Sequence, residues 1–186
     1  DLIYNTILIP WLGIALFIFI LLFFVTAPYG RFSENNWGPM ISSTAGWVIQ
    51  ESVSPIVFGY FFIIGTSIKT PVMWIFFIIW IGHYFNRSFI YPFRQHKTKN
   101  RMPITIMLSA VFFNIINGFT NGYYLGSIVN NEYNNYFFES NFILGMFIFI
   151  IGLVINLKSD NILINLKKEN QGYQIPQGFL YRYISC

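Results

Sequence analysis

The chain has 186 residues, of which 55% are apolar, 21% aromatic and only 10% charged, with a formal net charge of +4. About a quarter of an ordinary soluble domain is charged, so this composition excludes a water-soluble globular domain and indicates a polytopic membrane protein with no nucleic-acid partner. The single cysteine, Cys186, has no partner within the chain, which excludes an internal disulfide framework and a cysteine-based metal site; no metal is expected.

Apolar stretches recur at 3–25, 48–68, 72–93, 104–125 and 142–157, each near the roughly 20 residues that a bilayer-spanning helix needs. The expected fold is all-α: a polytopic membrane helix bundle of five transmembrane helices over residues 1–157, then a cytoplasmic loop over 158–186. The first stretch follows Asp1 rather than a basic segment and outlasts a signal-peptide core, which predicts a retained helix. The chain has no initiator Met and ends at Cys186 without a closing polar tail, as expected of a fragment. Arg94, Lys97, Lys99 and Arg101 crowd the third loop, whereas the fourth holds only Glu132 and Glu139. Positive residues concentrate on the cytoplasmic side, so the N-terminus is expected outside and the tail inside; Lys158, Lys167, Lys168 and Arg182 agree, and Lys69 dissents. The pattern serves an endoplasmic reticulum membrane and a bacterial inner membrane equally.

The second span opens with Gln50 and Glu51. A carboxyl group in hydrocarbon costs about 2.5–3.5 kcal/mol on insertion scales, so a chain that keeps one there usually uses it; the alternative is that Glu51 reaches the headgroups from near the span's end. In the third span Tyr84, Arg87 and Tyr91 fall at i, i+3 and i+7. In the fourth, Asn114, Asn117 and Asn121 repeat that spacing, and Gly118, Gly122 and Gly126 form two overlapping small-xxx-small steps that let helices approach closely. Two polar stripes imply an internal cavity, with Tyr91, Asn114 and Asn117 among its lining. An interfacial aromatic belt and a snorkelling Arg87 are the competing readings. In the tail, Asn156 and Asp160 lie one turn apart, followed by Lys167, Lys168 and the turn-rich stretch Gly172, Tyr173, Pro176, Gly178. A carboxylate, an amide, cations and a ring beside a cavity mouth suit a phosphorylated cofactor, and a basic tail also suits anionic lipid.

The runs Trp47-Val-Ile-Gln50-Glu51, His83-Tyr84-Phe-Asn-Arg87-Ser-Phe-Ile-Tyr91, Asn117-Gly118, Gly122-Tyr-Tyr-Leu, Ile155-Asn156-Leu-Lys-Ser-Asp160 and Tyr173-Gln-Ile-Pro-Gln-Gly178 together resemble the steroid 5-alpha-reductase family. They follow one another in consistent order from the second span to the tail. The resemblance implies an integral-membrane enzyme, usually of seven spans, that uses NADPH to reduce the carbon–carbon double bond of an enone such as a 3-oxo-Δ4 steroid. It implies catalytic roles for Glu51 and Tyr84 as the groups that polarise the enone oxygen, with Gln50 as an orienting neighbour. It implies cofactor contacts from Asn156, Asp160 and Tyr173, and from Lys167 where many relatives carry a phosphate-binding arginine. Another position often held by arginine is Ile164 here, and Lys167 offers a point charge rather than a fork. No Gly-rich dinucleotide fingerprint is present, so helices and the cytoplasmic loop would hold the cofactor. A reductase of trans-2-enoyl thioesters or polyprenoids would share this chemistry. A membrane methyltransferase would need no oxygen-polarising acid, and a transporter would leave the tail motifs without a role.

Overall fold

The computed structural model of the chain describes residues 2–25, 37–95, 101–129, 133–169 and 175–184. The described elements are α1 (Leu2–Leu21), β1 (Met40–Ser42), α2 (Ser43–Ile64), α3 (Pro71–Phe85), α4 (Tyr91–Arg94), β2 (Arg101–Pro103), α5 (Ile104–Tyr123) and α6 (Ser140–Glu169). Single π turns at Asn86–Ile90 and Tyr124–Ile128 follow α3 and α5. The expected all-α membrane bundle is the observed one. Among the described residues four helices are long and apolar enough to cross a membrane: Leu2–Leu21, Ser43–Ile64, Ile104–Ile128 and Ser140–Leu166. The remaining predicted span is α3, which begins at the N-cap Thr70 with Pro71 behind it and runs through its π turn into α4.

The bundle is built on the α2–α5 seam. On α2 the buried residues Gly46, Gln50, Ser54, Phe58 and Phe62 recur every fourth position, which makes one straight stripe along a helix. Against that stripe α5 sets Gly118 and Gly122, and the π turn after it sets Gly126. A Cβ at Gly122 would lie 2.5 Å from the Phe58 carbonyl oxygen, and one at Gly118 would lie 2.8 Å from that of Ser54. Main chain therefore meets main chain, as small residues at fourfold spacing permit where lipid offers no hydrophobic drive. Phe58, Phe62, Met73, Leu125 and Val129 close the core at one end of the seam, with Trp80 stacked on Phe58 at 4.7 Å between ring centres.

Lys69, which dissents from the charge pattern, is used at that same end. Its ammonium donates to the main-chain oxygens of Gly65, Ser67 (2.9 Å) and Gly126 (3.0 Å), tying the exit of α2 to the π turn after α5. Carbonyls left over at helix ends are the acceptors a lysine satisfies best. At the opposite end β1 and β2 pair antiparallel, with Met40 opposite Pro103, and clamp the starts of α2 and α5. Among the described residues this ribbon is the departure from a purely helical expectation. Helix α1 lies outside the seam, with Trp11 against Phe112 and Phe113 of α5. Helix α6 continues past the predicted end at Leu157 to Glu169, because Ile162, Leu163, Ile164 and Leu166 keep supplying apolar residues. Asn156 and Asp160 thus stand on the helix itself.

Candidate functional site

The polar side chains gather where α2, α3 and α5 meet, toward the β-ribbon end of the seam. Glu51, partly buried, follows the buried Gln50, whose amide nitrogen reaches Glu51 Oε1 at 3.5 Å. Pro55 lies one turn beyond Glu51 on α2. It has no N–H, so the main-chain carbonyl of Glu51 has no helical donor and the helix is loosened at that residue. From α5 the buried Asn114 donates through Nδ2 to the main-chain oxygen of Gln50 at 2.7 Å. That bond fixes the depth of the Gln50–Glu51 pair against α5.

Tyr84, on the last turn of α3, faces the same space. Its hydroxyl accepts a hydrogen bond from Asn117 Nδ2 at 2.9 Å, its ring packs on Trp80 at 5.4 Å, and it interacts electrostatically with Glu51. Ser54, one α2 turn below Gln50, also faces the Tyr84 hydroxyl, and its own oxygen is buried without a hydrogen bond of standard geometry. An acid, a phenol and a serine hydroxyl therefore converge from two helices, and the third helix anchors both.

The π turn that follows Tyr84 carries Arg87. Its guanidinium lies 4.7 Å from the Trp47 ring centre and 4.8 Å from that of Tyr91, and 3.7 Å from Asp160 Oδ2 on α6. Planar delocalised charge between two aromatic faces is the setting in which arginine outperforms lysine. Single π turns inside α-helices concentrate at functional sites, where they re-aim side chains that a regular helix would spread around its surface. Arg94 at the end of α4 donates to Asn161 Oδ1, a second link to α6. Asn156 Oδ1 and Asp160 Oδ2 are buried and have no hydrogen-bond partner, as do Gln50 Oε1 and the hydroxyl of Ser88. Unsatisfied buried polar atoms cost about 1–3 kcal/mol each, so these oxygens are acceptors that a polar ligand or a water could use.

Of the residues singled out from sequence, Gln50, Glu51, Tyr84 and Asn117 come together on α2, α3 and α5, and Asp160 joins them through Arg87. Tyr91 is buried edge-on against Trp47 at 5.6 Å. Asn114 acts as a clasp between helices rather than as exposed lining. Asn156 presents a buried oxygen to the α6 side of the cluster. The side chain of Lys167 and the whole of Tyr173 lie outside the described residues. Ile164 is buried on α6. The central place of Arg87 was signalled by its register with Tyr84 and Tyr91. Ser54 and Trp80 gave no sequence signal, since a serine and a tryptophan in an apolar span are unexceptional.

The profile of the family described as 3-oxo-5-alpha-steroid 4-dehydrogenase matches residues 100–186. The chain is 35% identical to steroid 5-alpha-reductase DET2 of Arabidopsis thaliana over 173 residues, covering 90% of this chain and 66% of the relative. It is 33% identical to steroid 5-alpha-reductase DET2 of Gossypium hirsutum over 177 residues, covering 93% and 69%. With 3-oxo-5-alpha-steroid 4-dehydrogenase 2 of Mus musculus it shares 34% identity over 172 residues, covering 89% and 66%. The chain spans about two thirds of the length of these relatives. A membrane helix bundle that aligns with these proteins along nine tenths of its length, the chain belongs to the steroid 5-alpha-reductase family.

Proposed function

We propose that this chain, in its full-length gene product, reduces the carbon–carbon double bond of an enone lipid such as a 3-oxo-Δ4 steroid with NADPH. The observation that carries the proposal is the convergence of Glu51 and Tyr84 from α2 and α3 on one space lined by Ser54 and anchored by Asn117. When an enone accepts hydride at its β-carbon, negative charge grows on the carbonyl oxygen, and the site needs hydrogen-bond donors aimed at that oxygen. A tyrosine hydroxyl donates at any ordinary pH, and a carboxyl group donates when protonated. Glu51 and Tyr84 are assigned that role, with Gln50 holding the Glu51 carboxyl. The enol then requires a proton at its α-carbon.

The residues on the α6 side suit a dinucleotide. Asn156 and Asp160 offer buried acceptor oxygens, and Arg87 and Arg94 bring guanidinium groups beside them. Together with Lys167 and Tyr173 they are assigned to NADPH, which when bound supplies the hydride. The ends carrying Arg94, Arg101, Lys158 and Arg182 are assigned to the cytoplasmic face of the endoplasmic reticulum or of a bacterial inner membrane, where NADPH is available.

The test is NADPH oxidation followed by absorbance in membranes containing the full-length gene product, with a 3-oxo-Δ4 steroid, an enoyl thioester or a polyprenal. Steroid-dependent oxidation that falls by about 100-fold or more in Glu51→Gln, with NADPH binding retained, supports the reading. Oxidation with another enone alone changes the substrate. No oxidation with any of the three refutes the reaction class.

A further inference from the structure

Asn121 lies on the exposed side of α5, one turn beyond Asn117, and its side chain is committed as a donor. Its Nδ2 gives hydrogen bonds to the main-chain oxygen of Asn117 at 2.9 Å and to Asn117 Oδ1 at 3.2 Å. A carboxamide has one accepting end and one donating end. With Oδ1 of Asn117 taken as an acceptor, its Nδ2 is turned to Tyr84, and the observed bond of 2.9 Å runs in that direction. The hydroxyl of Tyr84 thus accepts a hydrogen bond from Asn117. Its own hydrogen has to point elsewhere, into the space shared with Ser54 and Glu51.

We propose that Asn121 and Asn117 are positioning residues that set the polarity of Tyr84, so that its hydroxyl always presents a hydrogen to the substrate oxygen. The inference rests on the reading of Tyr84 as the oxygen-polarising donor. Had Asn117 been flipped, its Oδ1 would accept the phenolic hydrogen, and Tyr84 would meet a carbonyl oxygen with a lone pair. The direction of the chain also helps as charge develops: each donor in a series strengthens the next, by about 10–30% per bond. Asn114, three residues before Asn117, is spent on the α2 main chain and takes no part.

Asn121→Asp reverses the chain without touching the Tyr84 neighbourhood. An ionised carboxylate only accepts, so Asn117 turns its amide toward position 121 and offers Oδ1 to Tyr84. The expected result is a kcat for enone reduction lowered at least about tenfold, with KM for NADPH and for the enone changed less than about twofold. The defect should shrink as pH falls and the new carboxyl group protonates into a donor. Asn121→Gln, which keeps the NH2 group, should stay within about threefold of the parent kcat. Equal losses in Asn121→Asp and Asn121→Gln, or parental kcat in Asn121→Asp across the pH range, would overturn the proposal.

A second readout needs no turnover. The infrared C–O stretch of isotopically labelled tyrosine, taken as the difference between the parent protein and Tyr84→Phe in detergent, distinguishes an accepting from a donating phenol. The parent spectrum should show Tyr84 accepting, and Asn121→Asp should move it to the donating form. A parent spectrum of a phenol that only donates overturns the proposal. A parent protein that reduces no enone defeats the reductase reading instead, and the spectrum then decides the chain's polarity by itself.

Discussion

Replacing Gly122 by alanine tests whether the α2–α5 seam sets the geometry of the site. The added Cβ would stand 2.5 Å from the Phe58 carbonyl oxygen and 2.9 Å from the Phe58 Cα, both of them main-chain atoms of α2. Carbon–oxygen contacts settle at about 3.3–3.6 Å, so the helices have to part by about 0.8 Å or more. A rigid shift of that size along the bond stretches the Asn114–Gln50 contact from 2.7 Å to about 3.5 Å, outside the usual range of about 2.7–3.2 Å, and weakens it. Glu51 on α2 then recedes from Asn117 on α5 by the same amount, and Asn117 can no longer hold the Tyr84 hydroxyl in the same place relative to Glu51. Overpacking of this kind costs about 1–3 kcal/mol, and a displacement near 1 Å at a reacting centre costs about 100-fold in rate. Gly122→Ala should therefore lower kcat for enone reduction about 10- to 100-fold and lower the thermal midpoint in detergent. Gly145→Ala and Gly152→Ala on α6, where a Cβ meets nothing within 4 Å, should change neither. Parental kcat and midpoint in Gly122→Ala would show that the seam does not hold the site, and would refute the reasoning.

Other expectations follow from the same contacts. Arg87→Lys keeps the charge and loses the planar stack between Trp47 and Tyr91, an interaction of about 0.5–2 kcal/mol, so KM for NADPH should rise about two- to thirtyfold in steady-state assays. Lys69→Met leaves the oxygens of Gly65, Ser67 and Gly126 without their donor; a loss of about 1–3 kcal/mol should lower the thermal midpoint, and Lys69→Arg should recover part of it. A reporter fused after Arg101 should be cytoplasmic and one fused after Glu139 external; the reverse would invert the proposed orientation and remove the α6 cluster from cytosolic NADPH.

The spans and the glycine seam were readable in the sequence because hydrocarbon imposes length and apolarity on a helix, and because glycines at fourfold spacing have few other uses in one. The polar stripe on α5 was readable as a stripe, yet its members divide their work: Asn114 holds α2, Asn117 meets Tyr84, and Asn121 orients Asn117. Spacing places residues on a face but says nothing of which neighbour each will meet. The role of Lys69 was illegible for a related reason. Its partners are main-chain oxygens at Gly65, Ser67 and Gly126, and carbonyls are the same in every sequence. The β-ribbon was hidden because each strand has only three residues, too short for a period-2 pattern to show, and one of them ends in Pro103. Helix α6 outran its predicted end because the continuous apolar run stops before Lys158, whereas helix propagation does not need one.

Two kinds of force hold the two sides of the site. Glu51, Ser54 and Asn117 ride on helices locked by main-chain contact at Gly118 and Gly122, where no sliding is possible without collision, and Tyr84 on α3 is tied to them through Asn117. Helix α6 meets α3 and α4 instead through Phe142 against Phe76, the Arg87–Asp160 pair at 3.7 Å and the Arg94–Asn161 bond. Polar links of this sort tolerate adjustment, and Asn156 Oδ1 and Asp160 Oδ2 still lack hydrogen-bond partners across them. On the proposed function the division is physically apt. Donors that stabilise a transient charge gain most from being fixed before the charge appears, because reorganising them during the reaction would consume the stabilisation they provide. A surface that grips a large polar ligand gains from closing on it, since buried acceptors left open cost free energy that only the ligand can return. The glycine seam and the Arg87 bridge therefore answer different demands, and Arg87, seated between Trp47 and Tyr91 and reaching Asp160, is the residue through which the fixed side touches the adjustable one.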